Sequence, residues 1–239
     1  KQGYTHKLVV PNAVRLQAAA SYIEEIAARL DSGKNDLGVE GSIAKYYATE
    51  ASNKTADDAI QALGGYGYIN EYEVEKIKRD VKIACIYEGT SEIQQSIISV
   101  FRWRTTIKSK GMFYKEISLE MEKLNETFND LGCGFYSTAA SALNDTISLV
   151  HKNKMTRKQY IMFSLADMMT HVEVGVSLAR RAGVAEKSGT AKAEKLKTMS
   201  RIFANEVSQL VAQNILKIVS GSGLFDANTV STFLEEVSY

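Results

Sequence analysis

The sequence predicts an all-α fold, and two observations carry the prediction. Nearly every segment places apolar residues at helical spacing, and proline occurs once in 239 residues, as Pro11. Sandwiches and barrels use many prolines and glycines in their turns, so this composition favours long helices. With 45% hydrophobic residues, the chain can bury a core for one large domain or two small ones. We expect two stacked helical bundles.

The helices of the first half are predicted from apolar residues four positions apart. Such residues share one helix face, and the first run consists of Val14, Ala18, Tyr22, Ile26 and Leu30. Pro11 lies near the start of this helix, where its missing N–H does no harm. The helices that we expect next in the first half cover residues 39–63, 73–80 and 91–107.

The helical pattern lapses at residues 108–111. We therefore predict one domain over residues 1–110 and a second over residues 111–239. The connection is short and is not rich in proline or serine, so the second domain should dock on the first. The helices expected in the second half cover residues 113–128, 135–152, 157–188, 192–220 and 227–237.

Charge and residue usage exclude several function classes. The 29 basic and 28 acidic residues give a net charge of +1, which lacks the basic excess of a nucleic-acid-binding protein. The two cysteines, Cys85 and Cys133, fit a reducing compartment, and the three histidines lack a zinc spacing, so no metal site is predicted. The chain opens without Met or an apolar signal segment, which we interpret as a fragment of a longer protein.

Glu88 is the candidate for chemistry. It follows a largely apolar stretch and precedes Gly89 and a helix start, with Thr90 or Ser91 as the N-cap. The positive end of that helix favours the ionised carboxylate, and a hydrophobic ligand closing over it would oppose ionisation. Both influences suit a general base that removes a proton from a weak carbon acid. The alternative, which the residues alone favour, is an acid that only stabilises the helix start.

Three motifs in a fixed order resemble the C-terminal helical domain of acyl-CoA dehydrogenases. They are the Gln-x-x-Gly-Gly-x-Gly run of residues 61–67, the Val-Glu-x-x-x-Arg-Asp run of residues 74–80 and the Ile-Tyr-Glu-Gly-Thr run of residues 86–90. The resemblance covers about residues 1–105 and implies an up-and-down four-helix bundle. Residues 111–239 resemble the C-terminal helical extension of very-long-chain-type members, in architecture more than in motif.

The resemblance implies an FAD-dependent dehydrogenation of acyl-CoA thioesters, as in fatty acid β-oxidation. Glu88 would remove the α-proton of the substrate, and its backbone N–H would bind the thioester carbonyl. The β-hydrogen would leave as hydride to the flavin. The substrate-binding residues implied are Tyr87, Glu88 and Gly89.

The resemblance also implies the cofactor contacts. Thr90 and Glu92 would contact the flavin, although a glutamine often occupies the position of Glu92 in the family. The residues matching those that touch the adenosine pyrophosphate of an FAD held by a neighbouring subunit are Gln61, Gly64 and Gly65. A homodimer or homotetramer is therefore implied. The FAD site would be incomplete in this chain, which we expect to be inactive alone.

Partners and location follow from the same resemblance. Electron-transferring flavoprotein would accept the electrons, in the bacterial cytoplasm or the mitochondrial matrix. Membrane association through the basic helical face around residues 187–201 is one interpretation by analogy with membrane-associated relatives, and a solvated face is the favoured one.

Two alternatives to the dehydrogenase are a helical scaffold that has lost the chemistry and an acyl-CoA oxidase. A scaffold would not need the carboxylate of Glu88.

Overall fold

The structure, a computed structural model, describes residues 2–236, without the side chains of residues 234 and 236. This part of the chain is helical and has no strand. The α-helices are α1 (Val10–Asp31), α2 (Gly38–Leu63), α3 (Gly65–Tyr68), α4 (Val74–Ala84), α5 (Ser91–Lys108), α6 (Met112–Thr127), α7 (Cys133–Lys152), α8 (Gln159–Lys187), α9 (Ala193–Val219) and α10 (Ala227–Glu236). A π-helical turn, Thr5–Val9, precedes α1, and a 3₁₀ turn, Met155–Arg157, precedes α8.

Local sequence explains where the first helices begin and end. Pro11 lies in the first turn of α1, where no intrahelical hydrogen bond is lost. Gly33 follows α1 with φ +87°, and Gly64 follows α2 with φ +61°. Both glycines adopt a backbone conformation that residues with a Cβ rarely adopt, so each ends its helix.

The helices form two groups that share α8. In the first group α1 packs on α2, α2 on α5, α5 on α8 and α8 on α1, which closes a four-helix bundle. In the second group α6 packs on α7, and α7, α8 and α9 pack on one another. The short helix α4 lies against α2.

One hydrophobic core runs through both halves of the chain, from Val14 to Phe233. Its centre is α8, which has length and hydropathy sufficient to cross a membrane but has 83% of its most apolar window buried inside the fold. Met168 and Met169 of α8 are fully buried, as core packing requires. The second half therefore docks directly on the first, as the short connection predicts, while the division into domains at residues 110 and 111 stays a prediction.

The all-α fold is confirmed, with small differences at the helix ends. The helix predicted over residues 73–80 is observed as Val74–Ala84, so it takes in Ile83 from the apolar stretch before Glu88. The helix predicted over residues 157–188 begins later, at Gln159, after the 3₁₀ turn. The last predicted residue of the final helix, Val237, lies outside the described residues.

Candidate functional site

The loop that carries Glu88, residues 85–90, connects α4 to α5. The backbone N–H of Ser91 donates to the carbonyl of Cys85 at 3.0 Å, which closes the loop at its base. The N–H of Tyr87 donates to the carbonyl of Ile83, in the last turn of α4, at 3.0 Å. The tight turn leaves Tyr87 and Glu88 exposed, with Gly89 and Thr90 partly buried.

Glu88 has an unusual backbone conformation. Its φ is +55°, and Gly89 follows with φ +89°. A non-glycine residue rarely adopts positive φ, and such residues concentrate at functional sites when their surroundings hold them there. The sequence gives no sign of this at Glu88, because glutamate has no preference for the left-handed region.

Thr90 is the N-cap of α5. Its Oγ1 accepts a hydrogen bond from the N–H of Ile93 at 3.4 Å, so of the two candidates Thr90 is the cap and Ser91 is not. Ser91 instead donates a short hydrogen bond from its hydroxyl to Glu50 of α2. The loop is therefore tied to α2 as well as to α5.

Two further side chains, one from α2 and one from α5, bind the loop. Lys45 of α2 donates from Nζ to the carbonyl oxygen of Gly89 at 2.7 Å. Gln94 of α5 donates from Nε2 to the carbonyl oxygen of Glu88 at 3.0 Å, with a longer contact to that of Gly89 at 3.5 Å. Both backbone carbonyls of the Glu88–Gly89 pair are thus bound by side chains that rigid helices position.

Large apolar side chains flank Glu88 within five residues on either side. They are 49% to 55% exposed and comprise Ile83, Ile86, Tyr87 and Ile93. Half-exposed apolar side chains that flank one carboxylate along the chain form a surface that an apolar ligand, or another part of a larger protein, can cover. Covering this surface would remove water from Glu88.

Glu92 lies in the first turn of α5 beside Thr90. Hydrogen bonds from its own backbone N–H and from the Thr90 hydroxyl lower the pKa of its carboxyl below the ordinary value. Glu92 is therefore ionised at neutral pH and adds negative charge at the start of α5, where the helix dipole favours it.

The glycine-rich run lies at the far end of α2. Gln61, Gly64 and Gly65 are all exposed there, and a Cβ added to Gly65 would meet no atom within 4 Å. Gly67, in contrast, is buried, and a Cβ there would lie 2.4 Å from the carbonyl oxygen of Ile60. Gly67 is therefore needed for the fold, whereas Gly64 and Gly65 leave open backbone that a phosphate group could approach.

The structure does not bring all predicted site residues together. Tyr87, Glu88, Gly89, Thr90 and Glu92 form one group. Gln61 lies 16 residues along α2 from Lys45, which binds the 85–90 loop, and a rise of 1.5 Å per residue separates the two positions by about 24 Å along the helix axis. The group at Gln61 is thus a separate surface of the same chain.

Sequence reasoning missed Lys45 and Glu50. Both lie more than 40 residues before the residues they bind, and nothing in the local pattern of α2 distinguishes them from other polar helix residues. The spacing of Ser91 and Gln94 is that of a capping box, but Thr90 is the cap and the Gln94 side chain binds loop carbonyls instead.

Comparisons with known proteins found related sequences. The family model for the C-terminal domain of acyl-CoA dehydrogenases matches residues 1–100 and 118–239. An acyl-CoA dehydrogenase of Bacillus subtilis is 45% identical over 100 residues, which are 42% of this chain and 26% of that protein. A subunit of the caffeyl-CoA reductase–Etf complex of Acetobacterium woodii is 44% identical over 92 residues, which are 38% of this chain and 24% of that protein. The alignments thus span about a quarter of the length of these relatives.

The fold also matches a solved structure. An acyl-CoA dehydrogenase from Bacillus anthracis, complexed with FAD, superposes with a TM-score of 0.77 at 19% sequence identity, over 96% of this chain and 44% of that chain. The similarity extends over both helix groups. The match of the family model to both segments shows that the chain belongs to the acyl-CoA dehydrogenase family.

Proposed function

We propose that this chain is the base-bearing part of an FAD-dependent acyl-CoA dehydrogenase that acts in fatty acid β-oxidation. The observation that carries the proposal is Glu88, exposed and at positive φ, in a loop whose carbonyls are bound by side chains of two helices and which half-exposed apolar residues flank along the chain. An acid that only stabilised a helix start would not need this conformation.

Glu88 is the proposed general base. Its carboxylate takes the α-proton of the acyl thioester, and backbone N–H groups of the loop bind the thioester oxygen, where negative charge develops. Bound FAD supplies the acceptor for the hydride that leaves the β-carbon. One C–H bond breaks at each carbon, a C=C bond forms between them, and the proton remains on Glu88. Tyr87 and Gly89 flank the base and would line the thioester site.

The chain's own residues fit FAD at two places. The open backbone at Gly64 and Gly65, with Gln61 beside it, suits the pyrophosphate, and Thr90 and Glu92, at the start of α5, would contact the flavin. Gln61 lies about 16 Å along α2 from Glu50, which binds Ser91, and about 24 Å from Lys45, which binds Gly89, so we assign the two groups to different FAD molecules. This arrangement supports a homo-oligomer, dimer or tetramer, in which one subunit completes the cofactor site of another.

Electron-transferring flavoprotein is the proposed electron acceptor. The A. woodii relative, named as a subunit of a reductase–Etf complex, supports it. The same relative favours a second candidate function, reduction of an enoyl-CoA, in which Glu88 would return a proton to the α-carbon. For either direction we propose a cytoplasmic or mitochondrial-matrix location, since buried Cys85 and Cys133 are both free thiols.

Anaerobic mixing with acyl-CoA tests the proposal in the whole FAD-loaded protein. Glu88→Gln should keep FAD and bind acyl-CoA, because the amide is nearly isosteric, yet bleach the flavin about 10²–10⁴-fold more slowly. Glu88→Asp should be partly active, because its shorter carboxylate lies further from the α-carbon. Glu73→Gln, an exposed acid before α4, is the matched control. Bleaching of Glu88→Gln at the parental rate would place the base elsewhere.

A further inference from the structure

Two consecutive residues of the 85–90 loop, Glu88 and Gly89, have positive φ. Gly89 adopts this conformation freely, but Glu88 does so only because its surroundings hold it there. The anchors of the loop therefore decide where the carboxylate of Glu88 lies.

Those anchors act on the backbone carbonyls. Lys45 Nζ lies 2.7 Å from the Gly89 oxygen, and Gln94 Nε2 lies 3.0 Å from the Glu88 oxygen. Both peptide bonds are trans, and in a trans peptide the C=O and the following N–H point in opposite directions. Fixing the two carbonyls against α2 and α5 therefore directs the N–H groups of Gly89 and Thr90 away from those anchors.

The loop N–H groups remain available for a ligand. Within residues 2–236, no acceptor binds the backbone N–H of Glu88, Gly89 or Thr90, although those of Tyr87 and Ser91 are both bound. Three successive free N–H groups at the start of a helix form a concave donor surface for an anionic oxygen. Such donors are effective in catalysis only if their orientation is fixed before the reaction.

We infer that Lys45 is a positioning residue: together with Gln94 it locks the loop so that the carboxylate of Glu88 and the free N–H groups of residues 88–90 face the thioester together. Lys45 does not touch substrate in this arrangement, because its ammonium is committed to the Gly89 carbonyl. This role rests on the proposed function, and it makes Lys45 the residue on which the geometry of the Glu88 site depends. Charge developing on the thioester oxygen is greatest in the transition state, so loosening the loop should reduce turnover more than substrate binding.

The test compares Lys45→Met, Lys45→Arg and Lys82→Met in the whole FAD-loaded protein. Lys45→Met keeps the apolar stem and removes the donor, and Lys45→Arg restores a cationic donor. Lys82→Met removes a nearby positive charge on α4, and among the described residues the Lys82 ammonium makes no hydrogen bond to the loop. We expect Lys45→Met to lower the limiting rate of flavin bleaching about 10- to 100-fold, with a much smaller change in the half-saturating acyl-CoA concentration. Lys45→Arg should recover part of the rate, and Lys82→Met should stay within about threefold of the parent.

Two outcomes would overturn the inference: a parental limiting rate in Lys45→Met, or an equal loss in Lys82→Met. If Lys45→Met does not fold, Gln94→Ala removes the second anchor and must show the same selective loss of limiting rate. Glu88→Gln separates this inference from the proposed function. If Glu88→Gln is inactive while Lys45→Met bleaches normally, only the role of Lys45 fails, whereas a parental rate in Glu88→Gln removes both.

Discussion

Arg102 of α5 and Glu173 of α8 form a bidentate ion pair, with Nε and Nη2 each 2.8 Å from a carboxylate oxygen. Both side chains are 8% exposed. The Tyr114 hydroxyl donates to the same carboxylate at 3.0 Å, and Glu40 lies 3.2 Å from the guanidinium. The network joins α2, α5, α6 and α8, and therefore links the first half of the chain to the second.

Breaking this network from one side should be strongly destabilising. Arg102→Met leaves Glu173 and Glu40 buried without their shared cation, and removing one partner of a buried ion pair costs about 3–5 kcal/mol. For a chain of this size that loss corresponds to a fall of roughly 6–20 °C in melting temperature. Thermal unfolding followed by circular dichroism measures it.

Lys76→Met is the control for Arg102→Met. Lys76 pairs with Asp80 on the surface of α4, with both side chains more than half exposed, and water screens such pairs. Its melting temperature should match the parent. An Arg102→Met variant as stable as Lys76→Met would show that the buried network contributes little to the fold.

Stability should fall between pH 7 and pH 5 because of His171. Burial lowers the pKa of this imidazole below its ordinary value of 6.5, although the Asp167 carbonyl, 2.8 Å from Nδ1, partly opposes the shift. As pH falls through 6.5 the unfolded chain takes up a proton that the folded chain does not. The free energy of unfolding then decreases, by at most about 1.4 kcal/mol per pH unit for one proton.

Urea unfolding at pH 7 and pH 5 tests this in the parent and in His171→Phe. The phenyl ring keeps an aromatic side chain packed against Tyr47 and Phe203 and cannot be protonated. The stability of the His171→Phe variant should therefore depend less on pH in this window. His6→Gln, an exposed position, should keep the parental pH dependence. An unchanged slope in His171→Phe would assign the effect to other groups.

The chain by itself should fold and be colourless. One apolar core extends over residues 14–233, but the group at Gln61 and the group at Thr90 lie on separate surfaces, which we assign to different FAD molecules. Circular dichroism should show a helical protein, and the visible absorbance should show no stoichiometric flavin. A purified chain with bound FAD in a one-to-one ratio would contradict the assignment of the two groups to different cofactor molecules.

The helices could be predicted from the sequence because their signals are local. The helix predicted over residues 39–63 is observed as Gly38–Leu63, since its apolar positions and the glycines that end it lie within one segment. Gly89 and the cap candidates Thr90 and Ser91 likewise placed Glu88 just before a helix start. Such features depend on neighbours a few residues apart.

Long-range contacts could not be predicted in this way. The bundle of α1, α2 and α5 is completed by α8, which begins 51 residues after α5 ends. The hydrogen bond from Lys45 to Gly89 spans 44 residues, and the Arg102–Glu173 pair spans 71. Pairing over such separations depends on how the helices pack. The spacing of residues within one helix does not indicate which polar residue of another helix a given side chain will contact.

Substitutions at the glycines after α2 should distinguish an effect on folding from an effect on FAD binding. Gly67→Ala would put a Cβ 2.4 Å from the Ile60 carbonyl, a backbone clash that should cost about 1–3 kcal/mol. Gly65→Ala adds a methyl group into open space, so the stability of the chain should not change. In the whole protein, however, that methyl group would stand where the FAD pyrophosphate approaches the backbone.

We therefore expect Gly65→Ala to have parental unfolding in urea but at least tenfold weaker FAD retention on dilution, because close approach to the phosphate oxygens is lost. Gly41→Ala, at another helical glycine with no atom within 4 Å of an added Cβ, is the matched control and should retain FAD normally. In the proposed oligomer the Gln61 surface of one subunit contacts the FAD held by a second subunit. A parental subunit should therefore supply the pyrophosphate contact that a Gly65→Ala subunit cannot make. Mixed oligomers of Gly65→Ala with a parental chain should then retain FAD in proportion to their parental content. Full retention in the pure Gly65→Ala protein would show that this backbone does not approach the cofactor.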